Sequence, residues 1–390
     1  MGARARRAGV SRPTVAPRRI AVVGVSTGET CGVHDHATLL AEALEDESVS
    51  CEVHWLWRRQ RSLRAARSEI HAWARALGEL LERDQPDAIL LHYSVFSYSY
   101  RGVPLLVGPT LAALRRSRAP LIIVLHEYAY PWGRGGWRGA LWALTQRAAL
   151  IELVHASTAV MATTDQRAQG ISSRVWLPRR PVRVARVFSN LPPATIDRSD
   201  QLLSPVVGLF GYAAEGAAMS LTLDAIGQLQ NRGQPVRLAL LGAPGRSSSA
   251  GERWLQAAQA RRLQHFLSFS GTLAPQELSN ALGECDGLVF VETIGPTSRK
   301  TTLAASLASG RPVIAIDGPD RWPELVRAQA THLVPPTSHA LADAIQTVLG
   351  DASLRAALGA RGRAFAEREM SAARTARSVS ALLGEVLARP

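Results

Sequence analysis

The side chains best placed for chemistry lie between Thr297 and Thr302, read Thr-Ser-Arg-Lys-Thr-Thr, where hydroxyl groups surround Arg299 and Lys300. Lys300 is the only lysine in the chain; every other one of the 45 Lys and Arg positions is arginine. A planar guanidinium and a point-charge ammonium stand side by side where a helix is expected to begin. Unpaired N–H groups and the positive end of the helix dipole favour an anion there, and phosphate is the natural guest. The competing account is a solvated helix start in a chain that happens to be rich in arginine. The flanking pattern is strand, loop, helix, strand: apolar Leu288 to Val291, a loop with Gly295-Pro296, a helix from near Thr301 burying Leu303, Ala304, Leu307 and Ala308, then Val313 to Ile316. Thr297 or Ser298 is expected to cap that helix.

With 390 residues the chain suits two α/β domains better than one core, and its net charge of +13 implies acidic partners. Nucleotide sugars, anionic lipid surfaces and nucleic acid bound without sequence preference all qualify. The cysteines, Cys31, Cys51 and Cys285, form no CxxC pair, so neither a disulfide scaffold nor a zinc knuckle is indicated and a reducing cytoplasm fits. No uncharged apolar run is long enough to span a bilayer and no secretory signal is evident.

Residues 1–18 read as a disordered basic arm. A buried strand, Ile20 to Val25, then enters a loop running through Gly28, Gly32, His34 and His36 to a helix opening at Thr38. That loop lacks the GxGxxG dinucleotide fingerprint. The strand Cys51 to Trp57 leads into an arginine run, Arg58 to Arg67, that can grip an acidic acceptor, lie on a membrane, or simply be a solvated helix face. Further strands are expected at Ala88 to His92, Leu121 to Leu125 (ending at His126-Glu127), Ala159 to Ala162 and Val182 to Val187. Between them stand the aromatic residues Tyr93, Phe96, Tyr98 and Tyr100 and a segment mixing Trp132, Trp137 and Trp142 with arginines. That segment suits either an interface or acceptor contact or a loose surface loop before a core helix. Alternation resumes after Pro192-Pro193, with glycines ending successive strands at Gly211, Gly242 and Gly271, as a nucleotide lying across the rim of a sheet requires.

The motifs at these positions resemble those of GT-B glycosyltransferases, in particular the large family-four group, from Arg19 to the C terminus. The carriers are Cys31-Gly32-Val33-His34-Asp35, similar to the Cys-Gly-Ile-x-Asp start of one branch; His126-Glu127; Leu209-Phe210-Gly211; and Gly271-Thr272-Leu273. The second half adds Ser309-Gly310-Arg311-Pro312 with Pro323-Glu324-Leu325-Val326, and Thr297 to Leu303 in place of a Ser-x-Arg-Arg-x-Thr-Leu-like phosphate loop.

The resemblance implies an α/β fold of two Rossmann-like domains facing across a cleft: 19–192 for the acceptor, 193–370 for the nucleotide sugar, and 371–390 as a helix crossing back to the first. It implies transfer of a sugar from a nucleotide-diphosphate donor to an acceptor hydroxyl, with retention and without a metal or other cofactor. By position, His126, Lys300 and Arg299 are the catalytic candidates. The donor-binding candidates are Gly32, Gly211, Gly271, Thr272, Leu273, Thr297, Ser298, Thr301, Thr302 and Glu324. His34, Asp35, Tyr93, Glu127 and Trp132 are assigned to a small-molecule, glycan or lipid-linked acceptor, with peripheral membrane contact at the inner face allowed and no specific nucleic acid. The family's paired glutamates fall here on Thr297 and Ala305, and its arginine and lysine after the first glycine of the second domain on Tyr212 and Gly216. Those departures leave open an inactive sugar-binding homologue or a nucleotide-sugar epimerase of the same fold.

Overall fold

The computed structural model describes residues 18–28, 31–60, 62–127, 129–195, 205–212 and 216–388; the basic arm and the expected linker 197–204 therefore lie outside the described residues, save Arg18. The first half alternates β1 (Arg18–Ser26), α1 (Gly32–Glu45), β2 (Val49–Trp57), α2 (Leu63–Asp84), β3 (Ala88–Tyr93), α3 (Val107–Leu114), β4 (Leu121–Leu125), α4 (Gly136–Ala156), β5 (Ala159–Ala162), α5 (Asp165–Ser172) and β6 (Val182–Val184). The second half continues with β7 (Val206–Phe210), α6 (Gly216–Asn231), β8 (Arg237–Leu241), α7 (Ser249–Ala260), β9 (Leu267–Gly271), α8 (Pro275–Gly283) and β10 (Gly287–Phe290). It ends with α9 (Thr301–Ala308), β11 (Val313–Ile316), α10 (Pro323–Arg327), β12 (His332–Val334), α11 (Ser338–Gly350), α12 (Ala352–Glu369) and α13 (Ala372–Leu387).

The strands make two six-stranded parallel sheets, ordered β2-β1-β3-β4-β5-β6 and β12-β11-β10-β7-β8-β9. β3, β4, β5 and β10 are buried along their whole length, which is why they read as unbroken apolar runs. In each sheet the chain goes first to one side of its opening strand and then to the other. The order thus reverses between β1 and β3 and between β7 and β10, and the crevice beyond the strand ends at such a reversal is where an open α/β sheet binds ligands.

Helix α13 packs on the first sheet although it follows the second in sequence. Val379, Leu382 and Leu383 join Ile20, Val22, Leu40 and Leu44 in one core cluster. The hydroxyls of Thr375 and Ser378 donate to the carbonyls of Arg186 and Val184, each at 3.0 Å.

Several elements differ from their sequence expectations. Helix α1 starts at Gly32, so the Cys31-to-Asp35 motif forms its first turn rather than a loop, with Asp35 on the favourable side of the dipole. Helix α5, strand β12 and helix α11 had no expectation, and α12 runs unbroken through Arg361-Gly362-Arg363, which the sequence suggests as a turn. The signals for the three helices are capping residues, Thr164, Thr337 and Asp351, each accepting a backbone N–H from the first turn, joined in α11 by the apolar spacing of Leu341, Ala342, Ile345 and Val348. Strand β6 stops at Val184 and does not reach Val187.

Candidate active site

The loop between β10 and α9 lies at the reversal of the second sheet. Lys300 occupies the N-cap position of α9 with φ −103° and ψ 111°, and no side chain caps the helix. The expected caps, Thr297 and Ser298, are instead buried beside it, and the Thr297 hydroxyl has no hydrogen-bond partner. The first-turn N–H groups of Thr301 and Thr302 are thus left for a ligand or solvent. Lys300 Nζ lies 2.5 Å from Glu292 Oε1, a carboxylate just past the end of β10 that the sequence reading overlooked. Gly211 closes the corner. Its φ is +81°, and a Cβ there would come within 2.7 Å of Thr302 Cγ2, so only glycine lets the β7 loop approach the start of α9 so closely.

The facing wall comes from the first domain. Arg167, in the first turn of α5, donates to the His126 carbonyl at 2.6 Å and to Thr163 Oγ1 at 3.1 Å. Burial pushes its pKa down, and the nearby Arg299 guanidinium adds to the effect. Two like charges, one from each domain, therefore confront each other across a cleft of about 400 Å3 that Thr164, Arg167, Ser298, Arg299, Trp322 and Glu324 help to line. Arg167 was absent from the sequence reading because nothing marks it until α5 is recognised. The available signal was Thr-Thr-Asp after β5, since Thr164 Oγ1 accepts the Arg167 N–H and starts the helix. Glu324 sits in the first turn of α10 and pairs with Arg327 at 3.1 Å while bordering the cleft, so helix start and cleft wall coincide there.

His126 follows β4 and is half-buried, with its Nε2 3.1 Å from His92 Nδ1. His36, expected in the loop before the helix, lies within α1 and is buried, stacked on Phe188 at 4.4 Å and edge-on to His126 at 5.2 Å. Burial pushes the His36 pKa down to about 4, with the Arg186 backbone opposing weakly. It pushes His92 and His126 well below the usual histidine range, and neighbouring histidines reinforce the effect. All three rings are consequently neutral near pH 7, so His126 can exchange a hydrogen bond with a sugar but supplies no positive charge. One ligand-type nitrogen from each lies within 4.8 Å of the others, and neutral imidazoles are donors suited to a transition metal, which makes this cluster the candidate metal-holding group among the described residues.

The remaining candidates divide. Tyr93 is buried in the first core, stacked on Tyr98 at 5.4 Å, and does not reach the cleft; the acceptor role expected of it is corrected to a packing one. Glu127 accepts the Val95 N–H at 3.1 Å, and burial pushes its carboxyl up, so it braces the loop after β3. His34 sits against Trp55 and Trp57, at 5.0 and 4.8 Å, and Asp35 takes a long contact of 3.4 Å from Asn190. Gly32 is exposed with open space where a Cβ would be, so no tight approach of backbone to ligand requires glycine there. Trp132 is exposed, with Arg147 over its ring at 4.7 Å. Gly271, with φ +69°, ends the outermost strand β9, followed by exposed Thr272 and half-buried Leu273. Three strand spacings separate β9 from β10, roughly 14 Å, so this rim and the start of α9 cannot touch the same small group.

Where the family's arginine is expected, Tyr212 is buried. Its hydroxyl accepts the Gly245 N–H at 2.6 Å and its carbonyl accepts Trp254 Nε1 at 2.9 Å, so the position holds the loops together. A larger concavity, about 970 Å3, opens at the ends of β1 and β2 in the first domain. No described helix is long and apolar enough to cross a membrane.

Residues 204–351 match the family described as Glycosyl transferases group 1. Among curated proteins none matches the chain. Solved structures share the fold over nearly the whole length. Sucrose-phosphate synthase from Thermosynechococcus elongatus superposes with a TM-score of 0.70 at 16% identity, covering 95% of this chain and 99% of that one. A glycosyltransferase from Rickettsia africae gives 0.70 at 12%, covering 96% and 100%. Anabaena HepE, solved with UDP-glucose, gives 0.66 at 16%, covering 94% and 99%. Two parallel sheets with flanking helices and this likeness establish the two-domain GT-B architecture.

Proposed function

We propose that the protein transfers a sugar from a nucleotide-diphosphate donor to an acceptor hydroxyl in the cleft between its two sheets, with retention of configuration and without a metal ion. The observation that carries this reading is the uncapped start of α9, with Lys300 and Arg299 beside it and Arg167 opposite. The match of residues 204–351 to group 1 glycosyl transferases supports it, as does the likeness to HepE, a protein solved with UDP-glucose.

The donor diphosphate sits on the N–H groups of Thr301 and Thr302, with Thr297 and Ser298 alongside. Lys300 exchanges Glu292 for a phosphate oxygen. Arg299 and Arg167 then share the anion instead of repelling one another, which draws the domains together and excludes water. The base extends along the rim toward Gly271, Thr272 and Leu273. His126 hydrogen-bonds the sugar. As the bond from the anomeric carbon to the diphosphate oxygen breaks, negative charge grows on the leaving group, where the cations act most strongly. The acceptor hydroxyl attacks from the same face and passes its proton to a departing phosphate oxygen. Glu324 borders the donor, and His34, Asp35 and Trp132 lie toward the acceptor.

A peripheral membrane contact fits the same reading. Trp137, Leu141 and Leu144 are exposed at helical spacing along α4, with Trp132 exposed just before it and Arg134 and Arg138 among them. The test is thermal unfolding against a panel of nucleotide sugars, followed by product analysis with the one that binds. A donor at about 100 times its dissociation constant should add roughly 2.7 kcal/mol. The proposal is abandoned if no nucleotide sugar stabilises the protein.

A further inference from the structure

We propose that the groove at the ends of β1 and β2 is a binding site for a phosphate-bearing acceptor; this deepens the transfer reading and rests on it. Its walls carry Arg58, Arg59 and Arg101 together with the flat faces of Trp57 and Tyr100, and no carboxylate lines it among the described residues. At about 970 Å3 it is wide enough for a sugar or headgroup, and it lies at the reversal of the first sheet.

The positive charge there is not consumed by the protein. Arg58 donates only to carbonyl oxygens, Gln60 at 3.2 Å and Ser99 at 3.3 Å, and its Nε is buried without a partner. The nearest described carboxylate that influences it, Glu69, is occupied by the backbone N–H groups of Arg59 and Gln60 at 3.0 and 3.1 Å. Arg58 therefore ties the loop after β2 to the loop after β3 without giving up its charge to a carboxylate. Arg101 is held on the facing wall. Its carbonyl accepts Trp142 Nε1 at 2.8 Å, its guanidinium lies over the Tyr100 ring at 5.5 Å, and its φ is +50°, a strained value for a residue with a side chain. Three arginines lining one polar, aromatic-walled concavity suit a phosphate better than a neutral sugar alone, because the planar guanidinium fork pairs with phosphate oxygens two at a time. The phosphate can belong to a soluble sugar phosphate or to a lipid headgroup.

The test is equilibrium binding of glucose 6-phosphate, glucose and phosphatidylglycerol vesicles to the full chain, with saturating UDP present to occupy the donor cleft. The same measurements are made on the doubly substituted Arg59→Ala, Arg101→Ala protein. Both positions are exposed, so folding is spared, and Arg58 is left in place because it braces the walls. Glucose 6-phosphate binding at least ten-fold tighter than glucose, and weakened at least ten-fold by the double substitution, supports a soluble acceptor. Vesicle binding alone, lost in the same variant, supports a lipid one. Binding of neither, or binding indifferent to the double substitution, overturns the proposal. UDP stabilisation read separately keeps the two claims apart: its loss condemns the donor reading, while the phosphate comparison alone judges the groove.

Discussion

Lys300 Nζ and Glu292 Oε1 are 2.5 Å apart across the loop that joins β10 to α9. Both side chains remain about a third exposed, so the pair is open to solvent and not inside the core. An anion arriving at the start of α9 must compete with Glu292 for the ammonium group. In the proposed mechanism the Lys300 charge is thus offset by Glu292 until the donor diphosphate displaces that partner.

Removing the ammonium group tests its role directly. Lys300→Ala is expected to lower kcat by about 100-fold or more, the scale for losing one group that acts on transition-state charge. Steady-state kinetics with the identified donor checks this, and unchanged turnover would remove Lys300 from the chemistry.

Relieving the competition should act in the opposite direction on binding. Glu292→Gln is expected to tighten UDP binding by about five-fold, in keeping with the modest worth of a partly exposed ion pair. Isothermal titration calorimetry of UDP reads the effect. Weaker binding in the variant would mean that Glu292 itself contacts the nucleotide.

Arg167 offers a test of domain closure. In the proposed mechanism Arg167 and Arg299 share the donor diphosphate instead of repelling one another, so Arg167→Gln removes half of that clamp and should reduce kcat/KM by at least about ten-fold. Small-angle scattering should show UDP-induced compaction in the parent protein and less of it in the variant. Equal compaction in both would separate Arg167 from closure.

Acid should destabilise the first domain through its histidines. His36 titrates at about 4 when folded, against an ordinary value of 6.5. The unfolded chain therefore binds more protons between these limits, so stability is full above pH 6.5 and falls as pH drops toward 4. The loss attributable to His36 is on the order of 3 kcal/mol. Thermal unfolding followed over that range should show the decline, and His36→Leu should flatten it. A parent protein indifferent to pH in this window would refute the assignment of a neutral buried ring.

Gly211→Ala should distort the donor corner twice over, by forcing a side chain onto φ +81° and by pressing on Thr302. A stability loss of about 1 kcal/mol or more and a UDP affinity at least about ten-fold weaker are expected, readable by denaturant titration and calorimetry. Parent-like UDP affinity would show that the close approach at Thr302 has no bearing on the donor.

The sequence by itself determined the alternation of strands and helices and the cationic start of α9, because both depend on local pattern: unbroken apolar runs for buried parallel strands, and a basic loop meeting an apolar helix face. It also marked Gly211, whose conformation follows from one residue's missing side chain. What only the tertiary structure decided are relations between residues far apart in the chain. Glu292 became relevant once the loop folded it onto Lys300; Arg167 once α5 was seen to face the second domain; and the groove of Arg58, Arg59 and Arg101 once two separate loops met. The same distinction explains the corrections. Tyr93 and His36 have polar groups that suggest a surface role, but their positions at the end of β3 and on the inner face of α1 turn them into the core. Periodicity records which residues avoid water, whereas the meeting of charges across a cleft depends on how the sheets are wound and joined, which no local window of sequence contains.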